Sequence, residues 1–175
     1  MSLIRENNTM RITFEDDTWK EGVEGIISVT DGTTPFYTAD TWQIDGVNTL
    51  RSGQIGNSGI SETTLSVTLT ESGSIAFSYI VSSENNYDWL HVLVDGTEVL
   101  KKSGTGITNF TEFTYDLTAG THTIVLRYTK DGSQSSGKDA CAFGYLLFTG
   151  IEPPYAKKYL LTDFNGKIYT LVDST

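Results

Sequence analysis

One cysteine, three prolines and two histidines in 175 residues leave little room for several kinds of chemistry. The lone thiol, Cys141, can close no intrachain disulfide, and its place in the run Ala-Cys-Ala-Phe at 140–143 reads as buried strand, where a thiol is an inert small hydrophobe. No CxxC, HExxH or GxSxG motif is present, and Gly104-Thr105-Gly106 is a turn with no helix after it, so a nucleotide reading fails. Ser-His-Asp chemistry would have to use His91 or His122; both read as structural, one mid-strand between Leu90 and Val92, the other at a strand start. Glycoside hydrolysis needs two carboxylates facing each other at a defined separation, and with 22 acidic residues no pair stands out. The chain reads as non-enzymatic.

Basic residues are also scarce. Twelve Lys and Arg against 22 Asp and Glu leave a formal charge of -10, and an acidic surface repels phosphate backbones, so nucleic acid is not an expected partner. The same excess keeps a protein soluble and suits calcium, which takes hard carboxylate and carbonyl oxygens. No apolar stretch approaches the length of a membrane span, so no membrane insertion is expected. Residues 1–10 lack the apolar core of a signal peptide and read as an N-terminal arm.

What is present is strand pattern. In residues 63–96, Leu65, Val67 and Leu69 alternate, then Ile75, Phe77, Tyr79 and Val81, then Leu90, Val92 and Val94; this is the period of strands with one face on a core. Glu71-Ser72-Gly73-Ser74 makes the first break, and the longer polar stretch 82–88 makes the second. On either side come a strand over 11–15, another over 26–30, an irregular segment holding Phe36, Tyr37 and Trp42, and a glycine-rich loop over 53–59. Asp95-Gly96 has the form of a tight hairpin turn. Further strands cover 113–117, 122–128 and 140–148. With about ten strands and no helical period, the expectation is an all-β antiparallel jelly-roll β-sandwich over residues 11–150. Glu152-Pro153-Pro154 then acts as a stiff linker, and Asn165-Gly166 marks a C-terminal β-hairpin tail within 151–175. A lone hairpin is marginal in water, so the tail is expected to pair with the sandwich, another subunit or a continuation of the chain.

The order of blocks carries a resemblance. FED near the start, NTLRSGQIGNSG, TLSVTLTESGSIAFSYIVSSE, YDWLHVLVDG and LTAGTHTIVLRYTKDGSQSSGKDACAFGYLLF together resemble concanavalin-like jelly-roll domains related to MAM and laminin-G modules. Such domains recur in bacterial surface proteins and in phage tail or baseplate proteins, and the tail KKYLLTDFNGKIYTLVDST is similar to short segments of phage tail proteins. The resemblance implies glycan or protein binding and a structural Ca2+ between the first and last strands. Carried over by position, its ligands would be Glu15 and Asp139, with Asp16, Asp17 and Asp131 further candidates; the alternative is that these acids cap local turns.

A sugar site needs an aromatic face to stack on a pyranose ring, with amides and carboxylates for the hydroxyls. The loop from Glu84 to Asp88 brings those types together, with Asn85, Asn86, Tyr87 and Asp88 its candidate ligand-binding residues, and Trp19, Tyr37 and Trp42 offer a second cluster, with Tyr37 and Trp42 its candidates. Trp89, next to the first group, is expected to pack on a core face. The reading reached is a virion module of a phage tail, baseplate or fibre that binds host surface glycan, forms a homo-oligomer and completes its edges with neighbours. Two rivals stand beside it: a structural virion protein that contacts only other virion proteins, and an extracellular bacterial carbohydrate-binding or adhesin domain.

Overall fold

The architecture is that of a computed structural model, which describes residues 8–44, 46–105 and 109–151 in full and the backbone of three further short strands. In chain order the strands are β1 (Leu3–Glu6), β2 (Thr9–Ile12), β3 (Ile27–Asp31), β4 (Tyr37–Ile44), β5 (Val47–Arg51), β6 (Ile60–Leu69) and β7 (Gly73–Ser82). They continue as β8 (Trp89–Val94), β9 (Thr97–Lys102), β10 (Thr111–Leu117), β11 (Gly120–Thr129), β12 (Ala140–Thr149), β13 (Lys158–Thr162) and β14 (Ile168–Val172). A 3-10 turn, Asp17–Glu21, stands between β2 and β3 and is capped by the Asp16 carboxylate, which accepts from the Thr18 amide at 2.9 Å.

Two antiparallel sheets form the expected jelly-roll sandwich. The smaller runs β3-β6-β11-β8-β9. The larger is built around β12, whose one edge pairs with β7 from Ala140↔Ser82 to Phe148↔Ile75. Its other edge is shared: β5 takes Ala142 and Phe143, and β2 takes Leu146 to Thr149. Strand β10 adds to the far side of β7, β4 to β5, and β1 to β2. Alternation decides which side chains meet between the sheets. Leu65, Val67, Leu90, Val92, Ile124 and Leu126 come from the smaller sheet and Ile75, Phe77, Phe143, Leu146 and Phe148 from the larger, all of them buried. Phe77 meets Phe143 edge-on with ring centroids 5.4 Å apart.

Several local expectations need correction. The first strand stops at Ile12 rather than reaching Glu15, because the Asp16 cap and the 3-10 turn take over the chain. Trp19 is core, 1% exposed and edge-on to Phe14 at 5.5 Å, so it does not join Tyr37 and Trp42 at the surface. The segment read as irregular around Tyr37 and Trp42 is strand β4, with a register shift between Ala39 and Ile44. It is an edge strand, half-exposed along most of its length, and so carries no apolar alternation to betray it. Trp89 lies on the face of β8 opposite Leu90, Val92 and Val94, and the Lys101 ammonium sits 4.4 Å from its ring centroid. Cys141 is fully buried as expected, and burial pushes its thiol well up from the ordinary value.

The hairpin turn at Asp95-Gly96 has positive φ at both residues, 50° and 80°, the geometry that joins two right-twisted strands with two residues. β13 and β14 pair with each other from Lys158↔Val172 to Thr162↔Ile168 as a separate two-stranded sheet. The Asn165-Gly166 turn between them lies outside the described residues.

Candidate functional site

The connections after β5, β7, β9 and β11 all emerge at one end of the sandwich, since Thr129 faces both Ile60 and Trp89, Leu90 faces Lys102 and Ala140 faces Ser82. The loops are tied to one another by backbone and hydroxyl bonds. Ser83 donates its amide to the Gly104 carbonyl at 3.1 Å, and its buried hydroxyl accepts from the Gly104 amide at 3.2 Å and donates to the Asp88 carbonyl at 2.9 Å. The Asn86 amide donates to Ser103 Oγ at 2.9 Å, and Lys130 donates its amide to the Gly59 carbonyl at 3.1 Å. These bonds hold the five residues 84–88 as a defined projection. Asn85, Asn86 and Tyr87 form its exposed tip, with Tyr87 56% exposed and Asn86 at φ 66°, while Asp88 at its foot is completely buried.

Beneath the projection is a carboxylate group. Oxygens of Glu84, Asp88 and Asp131 lie within 4.8 Å of one another, the one such trio among the described residues. Asp88 Oδ1 accepts from the Asp131 amide at 3.0 Å, which fixes the loop after β11 against the loop after β7. Burial, then the charges of Asp131 and Asp88, push the Glu84 carboxyl up from the ordinary range. Glu84 Oε2 is buried and accepts no hydrogen bond. On the inner side the Lys130 ammonium, 1% exposed, bonds to Asp139 Oδ2, lies 3.0 Å from Ser135 Oγ and stands 3.5 Å from Asp88 Oδ2. Burial works against the Lys130 charge, but the bond to Asp139 and the charges of Asp139 and Asp88 outweigh it and hold its pKa above the ordinary value. Tyr128, whose hydroxyl donates to Asp139 Oδ1 at 3.3 Å, is pushed up by burial first and by the Asp139 charge second.

The expected site residues therefore sort into two places. Asn85, Asn86, Tyr87 and Asp88 share the projecting loop, and Asp131 joins Asp88 there. Glu84, the first residue of the same loop, belongs with them as a carboxylate of the trio, a place the sequence does not mark among the candidate metal ligands. Asp139 faces Lys130 and Tyr128 and is not a member of the trio. Glu15 lies beside β5, where its carbonyl accepts from Asn48 Nδ2 at 3.1 Å, and it too is outside the trio.

Tyr37 and Trp42 form a second place, on β4. Arg51 crosses from β5 with its guanidinium carbon 5.9 Å from the Tyr37 ring centroid and Nη1 donating to the Tyr37 hydroxyl at 2.6 Å. Its Nη2 donates to the Lys138 carbonyl at 3.4 Å, and the Lys138 ammonium stands 5.5 Å from the Trp42 ring centroid. Lys138 and Asp139, adjacent in sequence, thus join the two places.

No family model and no curated protein matches the chain. Solved structures do. The K1 cleaved adhesin domain of Lys-gingipain from Porphyromonas gingivalis W83 aligns with a TM-score of 0.55 and 12% identity, over 83% of this chain and 100% of that one. The K3 cleaved adhesin domain of the same protein gives 0.49 and 13%, over 77% and 96%. A CBM35 from Paenibacillus barcinonensis gives 0.40 and 16%, over 72% and 94%. At such identities the first of these is a likeness of fold, that of a β-sandwich module.

Proposed function

We propose that this chain is a non-enzymatic module that binds surface carbohydrate through the loop end of its sandwich. The observation that carries this is Tyr87, more than half exposed at the tip of a loop that the bonds of Ser83, Asn86 and Asp88 hold in place. A large amphipathic ring costs free energy to leave in water, and a rigid exposed one flanked by two amides offers what a pyranose needs, a flat face and paired donors and acceptors. Rigidity matters because ordering a floppy loop would consume part of the small free energy that a sugar contact yields.

The acidic group suits a structural calcium. Its donor set is all oxygen, Glu84 Oε2 is buried without a partner, and six to eight ligands would be completed by carbonyls and water. Glu84 and Asp88 bracket Tyr87, so a cation held by them and by Asp131 would fix both ends of the presenting loop. The sandwich fits two settings equally, a phage tail, baseplate or fibre component and an extracellular bacterial adhesin module, and the homo-oligomer reading belongs with either.

The test is a glycan array probed with the wild type and with Tyr87→Ala. Binding to one glycan class that is lost with the tyrosine supports the reading. Absence of any glycan binding, together with tight binding to a virion protein, moves the purely structural role ahead.

A further inference from the structure

The second place, on β4, sets two linked cations against aromatic rings rather than carboxylates. Among the described residues, Lys20 is paired with Asp31, Arg127 with Glu62 and Lys130 with Asp88 and Asp139. Arg51 and Lys138, like Arg11, Lys101 and Lys102, are paired with no described carboxylate; what sets these two apart is that the Arg51 guanidinium donates to the Lys138 carbonyl, which brings both cations and two rings into one place. Their partners are instead two aromatic rings, a hydroxyl and a carbonyl. Arg51 Nε is buried with no acceptor, an unmet donor of the kind that native structures seldom leave.

From this juxtaposition we propose that Arg51, Lys138, Tyr37 and Trp42 form a subsite for an acidic saccharide, a sugar bearing a carboxylate. The inference deepens the carbohydrate-binding reading and rests on it. The guanidinium fork and the ammonium supply charge-assisted donors for the carboxylate, and half-exposed Trp42 supplies a face for the ring that carries it. Lys138 is exposed on a flexible stem, so its ammonium can leave the indole face to a ligand and still reach the ligand's anion.

The overall charge of -10 does not defeat this. Exposed charges farther off than the Debye length, about 8 Å at physiological salt, are largely screened, whereas the two cations act at contact distance.

The experiment is titration of the intact protein with polygalacturonate, with a neutral galactan and with poly-L-glutamate, for the wild type, Lys138→Gln, Trp42→Ala and Tyr87→Ala. The expected result is binding to polygalacturonate that weakens with salt and falls about tenfold in each of Lys138→Gln and Trp42→Ala, with neither control polymer bound comparably. Lys138→Gln, on an exposed residue, keeps the wild-type thermal midpoint, so its loss of affinity is not a folding effect. Equal binding of the galactan, sensitive to Tyr87→Ala alone, overturns the subsite and leaves the carbohydrate-binding reading intact. Equal binding of poly-L-glutamate overturns it too, since charge without a ring would then suffice. Failure of both saccharide polymers to bind overturns the subsite, and the glycan array then decides the carbohydrate-binding reading separately.

Discussion

His122 stands between two acceptors: its Nδ1 lies 2.7 Å from Asp95 Oδ2, and its Nε2 lies 2.9 Å from the Thr118 carbonyl. A carbonyl only accepts, so Nε2 must carry a proton, and a carboxylate is best met by a protonated Nδ1 as well, which makes the ring an imidazolium. Asp95 completes the clasp by accepting the Thr123 amide on Oδ1 at 2.8 Å, so the β8–β9 turn is pinned to β11.

The hydrogen bond to Asp95 holds the His122 pKa above its ordinary 6.5, and the hydrogen bond from His122 holds the Asp95 pKa below its ordinary 3.8. For the histidine, the stabilisation is complete below about pH 6.5 and is lost as pH rises through the raised folded value. For the aspartate, it is present above about pH 4 and is lost as pH falls through the depressed one. The clasp therefore contributes most between these limits. Asp95 is 52% exposed, so solvent screening keeps the contribution to about 0.5–1 kcal/mol. Thermal midpoints of the wild type and His122→Asn, measured from pH 4 to pH 9, should differ most near pH 5–6 and converge toward the alkaline end. A pH-independent difference would mean that the ring contributes only packing.

Lys130 gives a larger effect. Its ammonium and the Asp88 carboxylate are both essentially excluded from water, 1% and 0% exposed. Removing one partner of a buried pair leaves the other charge uncompensated, at a cost of about 3–5 kcal/mol, whereas removing both charges can be close to neutral. Lys130→Met should therefore lose about that much in chemical denaturation. Lys130→Met combined with Asp88→Asn should recover a good part of it, because the amide oxygen can still accept from the Asp131 amide. No recovery in the double variant would show that the cost lies in the stranded Asp139 carboxylate or in packing of the lysine stem.

Gly144 tests the outer face of the larger sheet. A Cβ there would collide with Ile44 Cδ1 and stand 2.5 Å from Ser78 Oγ, so β4 can lie over the bulge in β12 only because the residue is glycine. Gly144→Ala should cost about 1–3 kcal/mol, as overpacking does. Adding Ile44→Val should return part of this by removing the colliding methyl. If the double variant is as weak as the single, the backbone at the bulge and not the Ile44 contact sets the limit.

Most of the sandwich was legible because Leu65 to Val94 and His122 to Phe148 alternate cleanly, and period-2 burial fixes which face turns inward. The same rule, applied strictly, puts Trp89 outside, since Leu90, Val92 and Val94 share the opposite parity; expecting it in the core let a residue-type preference override register. β4 was hidden because an edge strand buries too little to impose a pattern on Tyr-Thr-Ala-Asp-Thr-Trp-Gln-Ile. The tip of the site was readable, since Asn85, Asn86 and Tyr87 are neighbours in the chain. Its base was not: Asp131 reaches Asp88 across 43 positions through the pairing of β8 with β11, a contact that no local pattern announces. Arg51 and Lys138 were invisible for the same reason, being 87 positions apart and joined only where β5 meets the start of β12.

Calcium supplies the last prediction, and it separates the two ligand sets. If Glu84, Asp88 and Asp131 hold the ion, a free concentration of a hundred times the dissociation constant adds about 2.7 kcal/mol to stability. For a chain of this size that corresponds to a rise in thermal midpoint of roughly 5–10 °C over the chelator-treated protein. Glu84→Gln should abolish most of the rise. It removes the charge on the group whose Oε2 has no other partner, and it should leave the calcium-free midpoint unchanged or higher, because a carboxylate crowded by Asp131 and Asp88 is relieved. Glu15→Gln should leave the calcium response intact. The reverse pattern, a response lost with Glu15 and kept with Glu84, would return the metal to the first strand and sink the assignment to the loop end. No response in the wild type would leave the trio as a hydrogen-bonded junction that orders Tyr87 without a metal.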